Sequence, residues 1–327
     1  MIRAIISTFD ALVKVSVDLA HQRVTSQVID EARGIYFGLT RYGNKILLAA
    51  RNLDVNRIRK ASALPTNTIY LLKSGTLQMD PIIRHECLCD LHQLRVMKQW
   101  VCVVLGEGSK IAVFEGGSWQ LTREIDIAAH VPFYMRHDGP ERHELDCYHF
   151  NSIFFYEDRI FLLAHNWDHG SFAMECRYSI DKRGPHDLRL IKVYEGLGFE
   201  AHDIALYDGT LYVLDSRNGM IIARERSERR VSLPNEGCRP FPRGLSVTRD
   251  YLLVCYGYWS TERSDRSNSA TRLYVLDRRS LYPIMDLKIG SYGNSCDILV
   301  ISEEDFSDGL KRKCNWQECI RRLFTCD

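Results

Sequence analysis

The amino-acid sequence predicts an all-β fold built from one repeated four-stranded unit. Short runs of β-branched and aromatic residues bounded by Gly, Asn and Asp recur through most of the 327 residues, and helical periodicity is scarce. The passage HDIALYDGTLYVLD, from His202, sets the pattern: a polar residue, a short apolar strand, an Asp-Gly turn and a second apolar strand. The pattern starts again at His92, Asn151 and Arg243, and its first strand alone returns at Cys296.

An earlier copy, RGIYFGLTRYGNKILLAARN, is longer before its turn, which leaves its register open between Arg33 and Phe37. Successive copies start about forty to sixty residues apart, the repeat length of a propeller blade. Each full copy is followed by two further strands, as in TRLYVLDRRS and YPIMDLKIG after the copy at Arg243. The sequence therefore predicts blades of four strands.

The two chain ends complete the last blade. After CDILVIS the chain becomes polar, which leaves one strand without three partners, whereas RAIISTF, ALVKVSVD and RVTSQVID read as three strands without an innermost one. Closing the ring by pairing the N-terminal strands with the C-terminal strand removes exposed sheet edges. We therefore predict a six-bladed β-propeller, as a single domain over 1–327. An apolar stripe in DGLKRKCNWQECIRRLFTCD predicts a short amphipathic C-terminal helix within about 306–327.

The overall composition argues against several classes of binding partner. Forty-three basic residues stand against forty-two acidic ones, so no overall charge attracts nucleic acid or an anionic membrane. The N-terminal stretch does not look like a signal peptide, and no window reaches the about eighteen uninterrupted apolar residues of a membrane span. Eleven cysteines without a zinc-ribbon or disulfide framework suit a reducing compartment. We expect a cytoplasmic protein with structural thiols and with neither nucleic acid nor a membrane as partner.

At this level the sequence resembles the broad group of six-bladed β-propellers that includes the TolB-like, NHL-like and gluconolactonase-like proteins. The resemblance rests on strand pattern and blade count over nearly the whole chain, and the sequence has no WD dipeptide, kelch glycine pair or sialidase Asp-box repeat. It implies the fold and leaves the activity open, because one fold serves many functions.

Equivalent strand starts meet at the mouth of a propeller's central channel, so the repeat also predicts a site. We call these starts the ring positions: Arg33 or Phe37, His92, Asn151, His202, Arg243 and Cys296. His149 lies two residues before Asn151, and strand alternation puts it on the same face, nearer the rim. Three neutral imidazoles, His92, His149 and His202, would be suitable ligands for a divalent transition metal such as Zn, Fe or Mn. The alternative is a wet channel whose histidines bind only water.

Carboxylates usually orient the second nitrogen of a metal-binding imidazole. The candidates near in sequence are Asp90, Asp146, Glu200 and Asp203. For His202 we expect Glu200 rather than Asp203, because Asp203 points to the opposite face of the strand.

The arginines indicate the charge of a ligand. Arg243, and Arg33 if its register holds, would flank the histidines with guanidinium groups suited to carboxylate, sulfate or phosphate. Asn151 would add a polar substrate contact. The simpler alternative is that Arg243 pairs with Asp297 on the next blade. An anionic small-molecule substrate is the more specific hypothesis.

Loops expected at the same mouth are rich in aromatic and polar residues. Predicted substrate contacts are Trp167 and Asp168 in AHNWDHGS, and Tyr258 and Trp259 in YGYWSTERSDRSNS. These loops suit a sugar ring or a peptide equally well. His165, in the first loop, is a candidate catalytic residue.

The segment MRHDGPERHELDCYH, 135–149, is either an exposed inter-blade loop or a lid over the channel. As a lid it would supply a catalytic acid or base, Glu144 or Asp146. The sequence contains no GxGxxG after a strand, no Walker A loop, no GxSxG and no HExxH, which argues against Rossmann, P-loop and α/β-hydrolase chemistry.

The leading hypothesis is a metal-dependent enzyme acting at the channel mouth on an anionic small molecule, with the metal on His92, His149 and His202. The reaction stays open among elimination, hydrolysis, isomerisation and, with iron, oxygenation, hence a lyase, hydrolase or oxygenase. The geometry is similar to the three-histidine metal of the peptide-amidating lyase, another six-bladed propeller. Two alternatives remain: a non-catalytic propeller that binds a protein or polar ligand, and a calcium-dependent lactonase or esterase, although calcium prefers oxygen ligands.

Overall fold

The computed structural model describes residues 1–31, 34–52, 67–73, 78–137 and 146–301. The chain begins with the strands β1 (Ile2–Thr8), β2 (Ala11–Asp18) and β3 (Arg23–Glu31). The next two groups of four are β4 (Gly34–Tyr42), β5 (Lys45–Asn52), β6 (Asn67–Leu72) and β7 (Met79–Ile83), then β8 (Leu91–Met97), β9 (Trp100–Leu105), β10 (Lys110–Glu115) and β11 (Leu121–Asp126).

The second half of the chain repeats the arrangement. Its strands are β12 (Phe150–Tyr156), β13 (Arg159–Ala164), β14 (Phe172–Asp181), β15 (Gly184–Tyr194), β16 (His202–Tyr207), β17 (Thr210–Asp215), β18 (Met220–Arg224), β19 (Glu228–Ser232), β20 (Pro240–Val247), β21 (Tyr251–Tyr258), β22 (Thr271–Asp277), β23 (Pro283–Gly290) and β24 (Ser295–Val300). Within the described ranges, four short 3-10 helices lie between strands: Ala128–His130, Phe133–Met135, Trp167–His169 and Arg263–Arg266.

The strands form six four-stranded antiparallel sheets. Blades 1 to 5 are β4–β7, β8–β11, β12–β15, β16–β19 and β20–β23, and blade 6 has the order β24-β1-β2-β3. The innermost strands β4, β8, β12, β16, β20 and β24 contact one another in that order, and β24 returns to β4. The predicted six-bladed propeller, closed by pairing of N-terminal with C-terminal strands, is confirmed.

The hydrophobic core lies between blades. The second strands β9 and β17 are buried along their whole length, because blades cover both of their faces, whereas the outermost strand β19 is mostly exposed. One apolar cluster joins Val104 of blade 2 to Leu162 of blade 3, and another joins Val13 of blade 6 to Leu253 of blade 5. Each fully buried aliphatic side chain contributes about 1.5–3 kcal/mol, so the ring is a rigid support for its centre.

The innermost strand of every blade carries a β-bulge at the same place. The register of its ladder shifts between Tyr36 and Leu39, Leu91 and Leu94, Phe150 and Ser152, His202 and Ile204, Pro242 and Leu245, and, in blade 6, between Ser7 and Thr8 opposite β24. A bulge leaves a residue unpaired and bends the strand. In blade 1 the bulge includes Phe37, so Phe37 is the ring position of that blade.

Three sequence predictions fall on residues outside the described ranges: the helix within 306–327, Arg33, and the part of the proposed lid that contains Glu144. No α-helix occurs in the described part of the chain, and none of its helices is long and apolar enough to cross a membrane. The eight cysteines described there are free thiols.

Candidate metal and anion site

The ring positions line one cavity at the centre of the molecule. Its wall is formed by Phe37, Gly38, His92, Gln93, Asn151, Ser152, His202, Asp203, Arg243 and Cys296. The space inside it is about 10 Å³, close to the room that one water molecule needs. The structure therefore brings together the strand starts that the repeat selects, and their roles in binding stay predictions.

The residue after the ring position ties neighbouring blades together. Gln93 Oε1 accepts the amide N–H of Ile153 at 3.0 Å, and Asp203 Oδ2 accepts that of Gly244 at 2.6 Å. Gln93 also donates its side-chain amide to Asp203. A Cβ on Gly38 would lie 2.8 Å from the Cα of Gln93, so only glycine allows blades 1 and 2 to approach this closely. Each such hydrogen bond contributes about 0.5–1.5 kcal/mol, more where the carboxylate accepts.

An aspartate and two histidines form a candidate metal centre at the mouth. Donor atoms of Asp90, His92 and His149 all lie within 4.8 Å of one another. Asp90 Oδ2 is 3.3 Å from His92 Nε2 and 3.7 Å from His149 Nδ1. Two ligands on a tetrahedral zinc, with bonds of about 2.0–2.1 Å, are roughly 3.3 Å apart. The cluster therefore approaches the spacing that a metal requires, but His202, which we expected as the third ligand, is not in it.

Asp90 is positioned by its backbone and by two neighbours. Its φ is 44°, in the left-handed region that aspartate tolerates better than most residues. Arg51 forms an ion pair with it. A Cβ on Gly106 would lie 2.6 Å from Asp90 Oδ2 and 3.0 Å from His149 Nδ1, so the bare backbone of Gly106 provides the space in which these side chains meet.

The charge states in the cluster suit metal binding. Burial alone would raise the pKa of Asp90, but His92, His149 and Arg51 outweigh it and hold that pKa well below its usual range. Burial lowers the pKa of His92 to about 4, against the opposing effect of Asp90. At neutral pH the cluster thus contains a carboxylate anion beside a neutral imidazole, the form of histidine that binds metals.

His149 enters the cluster from outside the strand. Strand β12 starts at Phe150 and His149 has a φ of 50°, so the strand alternation from which we predicted its position does not apply. Its Nδ1 is 2.6 Å from Asp146 Oδ2. His149 can offer Nε2 to a metal with Asp146 orienting Nδ1, the usual pairing, or offer Nδ1 with Asp146 as a further ligand. The second oxygen of Asp146, Oδ1, is buried and has no partner among the described residues.

His165 and His202 continue the row of imidazoles around the mouth. Ring centroids are 5.3 Å apart for His149 and His165, and 5.9 Å apart for His165 and His202. Burial, reinforced by neighbouring positive charge such as that of Arg243, lowers the pKa of His165 and His202 well below 6.5. Both are therefore neutral at pH 7. Nδ1 of His165 is buried without a hydrogen-bond partner in the described part of the chain.

A hydroxyl fixes the tautomer of His202. Ser216 Oγ donates its only proton to the Pro242 carbonyl at 2.6 Å, and it lies 2.9 Å from His202 Nδ1. Nδ1 must therefore carry the proton and donate to Ser216, which leaves a lone pair on Nε2. Glu200, our predicted partner of His202, instead lies 3.9 Å from Arg217. That prediction is wrong because Glu200 precedes the strand, with a φ of 49°, and strand alternation does not extend to it.

Arg243 is a buried cation without a counter-ion among the described residues. It is 6% exposed, and its Nε has no hydrogen-bond partner there. The pairing with Asp297 that we considered is not formed. Asp297 Oδ2 accepts the amide N–H of Leu39 at 2.8 Å and Nη1 of Arg95 at 3.3 Å. The guanidinium of Arg243 is thus left lining the central cavity.

Comparisons with known proteins support the fold. No protein-family model matches the chain, and no curated protein matches it. Among solved structures, a chain of a nidogen/laminin complex has a TM-score of 0.63 at 8% identity, covering 92% of this chain and 98% of its own. A protein from Lactobacillus plantarum gives 0.57 at 11%, covering 92% and 100%, and a putative 6-phosphogluconolactonase from Bacteroides fragilis gives 0.56 at 10%, covering 92% and 98%.

The chain is a six-bladed β-propeller. Sequence identities this low establish the fold alone, so the chemistry of the propeller has to be argued from its own side chains.

Two of the predicted substrate contacts, Asn151 and Trp167, use their polar atoms in hydrogen bonds within the protein. Asn151 lines the cavity, but its amide donates to the Ala201 carbonyl at 2.9 Å and its carbonyl accepts from Ser152 at 2.8 Å. Trp167 donates Nε1 to the backbone of Asp146 and packs its ring 5.2 Å from that of His149. Both side chains support the mouth, and their polar atoms are already engaged.

The remaining predicted contacts lie further out. The side chain of Asp168 is 89% exposed and pairs with Arg217 at 2.7 Å. Tyr258 and Trp259 lie at the end of blade 5 and do not line the central cavity, and Trp259 is covered by Arg239 at 4.0 Å. The structure does not bring these three residues to the cluster.

Sequence reasoning missed what Asp90 can do. We expected it only to orient an imidazole, whereas its oxygen is one of the three converging donors. A signal was present: Asp90 precedes its ring position by two residues, as His149 does, and both have a left-handed backbone. Arg51 comes from the second strand of blade 1 and Ser216 directly follows the second strand of blade 4, so no local pattern marks their contacts.

Proposed function

We propose that the protein is a metal-dependent enzyme that acts at the mouth of the propeller channel on an anionic small molecule, with the metal held by Asp90, His92 and His149. The observation that carries the proposal is the meeting of these three donors, from two blades, within 4.8 Å. The buried and unpaired guanidinium of Arg243 across the same mouth supports the charge of the substrate.

The donor set favours a transition metal. Two imidazoles and one carboxylate leave coordination positions open, as in catalytic zinc sites and non-haem Fe(II) oxygenases. Two nitrogen donors among three argue against calcium, so we do not propose a calcium-dependent lactonase. The unsatisfied Oδ1 of Asp146 beside the cluster also fits, since a cation would compensate a buried oxygen that otherwise has no partner.

We propose hydrolysis as the reaction. A bound metal would polarise a carbonyl or activate water. For the chain itself, Arg243 would anchor the anion, and His165, neutral and with an unpartnered Nδ1, would exchange a proton with the substrate. Asp146 would orient His149 rather than act as the base. One fold neighbour is described as a putative 6-phosphogluconolactonase, whose name implies hydrolysis of an anionic molecule.

The test is metal binding by purified protein. After EDTA treatment, zinc and Co(II) are titrated by calorimetry and by the visible spectrum of Co(II), and metal content is measured before treatment. We expect one metal per chain. Added metal should raise the thermal unfolding temperature, and a free metal concentration of about a hundred times Kd should add about 2.7 kcal/mol to the free energy of unfolding. Iron as the native metal would redirect the reaction to oxygenation.

Variants separate this site from adventitious binding. Asp90→Asn, His92→Ala and His149→Ala should abolish stoichiometric binding, and Asp146→Asn should weaken it about 10–100-fold. The control His21→Ala removes an exposed histidine that also pairs with an aspartate, Asp18 at 2.8 Å, and should leave binding intact. Metal-free protein with no metal-dependent stability would instead indicate a non-catalytic propeller. If His202→Ala also abolished metal binding, the metal would be held by His92, His149 and His202, as the sequence analysis predicted.

A further inference from the structure

We propose that the anion recognised at the mouth is a hydroxycarboxylate: its carboxylate binds Arg243, and a neighbouring hydroxyl donates to Nε2 of His202. The inference rests on the proposed function, because it names the substrate class of that same site. It is carried by Arg243 and His202, which both line the central cavity and are not among the three converging metal donors.

The charge at this end of the mouth fits one carboxylate. Arg243 lines the cavity without a carboxylate partner among the described residues, whereas the guanidiniums of Arg51 and Arg95 are occupied by Asp90 and Asp297. The imidazoles that adjoin it, such as His202, are neutral, since burial lowers their pKa. A guanidinium matches a carboxylate in charge and in geometry. A phosphate dianion would leave negative charge uncompensated in a buried site.

The tautomer of His202 selects a donor on the ligand. Ser216 accepts the Nδ1 proton, as its own proton is bonded to the Pro242 carbonyl, so Nε2 presents a lone pair. Nε2 of His202 has no hydrogen-bond partner among the described residues. A ligand group that meets this nitrogen must donate a proton, which a carboxylate oxygen cannot do and a hydroxyl can. Donor and acceptor together describe a carboxylate with a nearby hydroxyl.

The space limits how deep the ligand reaches. The cavity at the ring positions, about 10 Å³, has room for one oxygen atom. One carboxylate oxygen would therefore enter beside Arg243, and the rest of the molecule would remain in the wider mouth, on the side of the row formed by His165 and His149.

The experiment measures binding of small probes to EDTA-treated protein in low-chloride buffer at constant ionic strength, by ligand-observed NMR titration. The probes are glycolate, acetate, ethylene glycol and inorganic phosphate. We expect glycolate to bind about twofold to tenfold more tightly than acetate, the effect of one added hydrogen bond. Ethylene glycol and phosphate should bind more weakly than glycolate.

Variants assign the two contacts. Arg243→Met should weaken glycolate and acetate by at least about tenfold, and the control Arg249→Met, at an exposed arginine paired with Asp250, should change neither. Ser216→Ala removes the hydroxyl that holds the proton on Nδ1 of His202, and His202→Phe removes the accepting nitrogen Nε2. Ser216→Ala should reduce the preference for glycolate over acetate and His202→Phe should erase it, and both should keep acetate binding, which also shows that the variants are folded.

Equal affinity for glycolate and acetate in the unmodified protein, tighter binding of phosphate, or unchanged binding in Arg243→Met would each overturn the inference. Because these titrations use metal-free protein, they are independent of the metal test. Glycolate binding without any metal site would refute the proposed function alone, and a metal site without a glycolate preference would refute the inference alone.

Discussion

Replacing Arg243 by methionine should stabilise the protein. Arg243 is 6% exposed, carries a permanent charge, and has no hydrogen-bond partner for Nε among the described residues. Taking a charge out of water without compensation costs several kcal/mol. Methionine retains much of the length of the side chain without the charge, so the unfavourable desolvation disappears and the apolar packing remains.

The expected gain is limited by a nearby carboxylate, Asp203. Replacing buried charged groups by apolar ones of similar volume stabilises proteins by about 1–4 kcal/mol. Arg243 also lowers the pKa of Asp203, although burial and Asp297 still raise it, and that favourable effect is lost in the variant. We therefore expect the lower half of the range, about 1–2 kcal/mol of added free energy of unfolding.

A partly buried arginine, Arg95, whose side chain is 20% exposed, provides the control. Arg95 donates to Asp297 at 3.3 Å and to the carbonyl of Leu39 at 2.9 Å. Because Asp297 is 1% exposed, Arg95→Met leaves a buried carboxylate without its cation and should destabilise the protein by about 2–4 kcal/mol. The two substitutions are chemically identical, and the main contrast is that the guanidinium of Arg95 pairs with Asp297 whereas that of Arg243 has no carboxylate partner among the described residues.

The assay is urea or thermal unfolding in a buffer that lacks carboxylate and phosphate anions. A gain of 1 kcal/mol raises the melting temperature by about 2–4 °C in domains of 150–250 residues, and somewhat less in this longer chain. If Arg243→Met lowers stability by more than about 1 kcal/mol, or as much as Arg95→Met does, then the guanidinium has structural partners. The argument for an anion at Arg243 would then fail.

Two further predictions concern the metal cluster and a buried carboxylate. Gly106→Ala places a Cβ 2.6 Å from Asp90 Oδ2 at a position without positive φ, and it should weaken zinc binding about 10–100-fold with little change in thermal stability; unchanged affinity in calorimetry would contradict the geometry. Burial, with Asp297 adding, raises the pKa of Asp203 to about 7. Proton uptake by Asp203 therefore adds to the free energy of unfolding, fully below about pH 4 where the unfolded chain is also protonated, and this contribution is lost as the pH rises through about 7. From pH 7.5 to 5.5 the free energy of unfolding of the natural protein should therefore increase by about 2 kcal/mol relative to that of Asp203→Asn. The buried histidines lose stability over the same range, but they do so in both proteins, so their effect cancels in the comparison. A difference in urea unfolding that is independent of pH would refute the prediction.

The fold was predictable because its information is local and repeated. Turn residues divide the chain into strands, and the equivalent starts at His92, Asn151, His202 and Arg243 define the repeat. The unpaired strand at Cys296 then required partners from the other chain end, which β1 supplies. The register of blade 1 could not be decided in this way, since the β-bulge that includes Phe37 accommodates the longer copy.

The site was predictable in outline only. Strand register places side chains around the channel, so His92 and His202 follow from the repeat. The contacts that give these side chains their chemistry come from residues outside the innermost strands. His149 has a left-handed backbone, Ser216 follows the second strand of blade 4, and Arg51 belongs to the second strand of blade 1. No sequence period links such positions, because they are neighbours only after the ring has closed.

The mouth has an anionic end and a cationic end. Asp90 and Asp146 lie with His149 on the side of blades 2 and 3, and Arg243 lies on blade 5. Between them are imidazoles that burial keeps neutral, such as His165. Charges interact more strongly in a protein interior than in water, so a cation at one end and a carboxylate at the other would each be compensated by the chain.

The same polarity would orient a substrate. A molecule held by its carboxylate at Arg243 would extend toward the acidic end, where the proposed metal would lie, because the cavity at the ring positions has room for one oxygen only. Burying an unpaired guanidinium lowers the stability of the protein, and the propeller fold does not require it. Natural proteins concentrate such unfavourable groups at functional sites. The closed ring, with blades tied by Gln93 and Asp203, is stable enough to tolerate that cost.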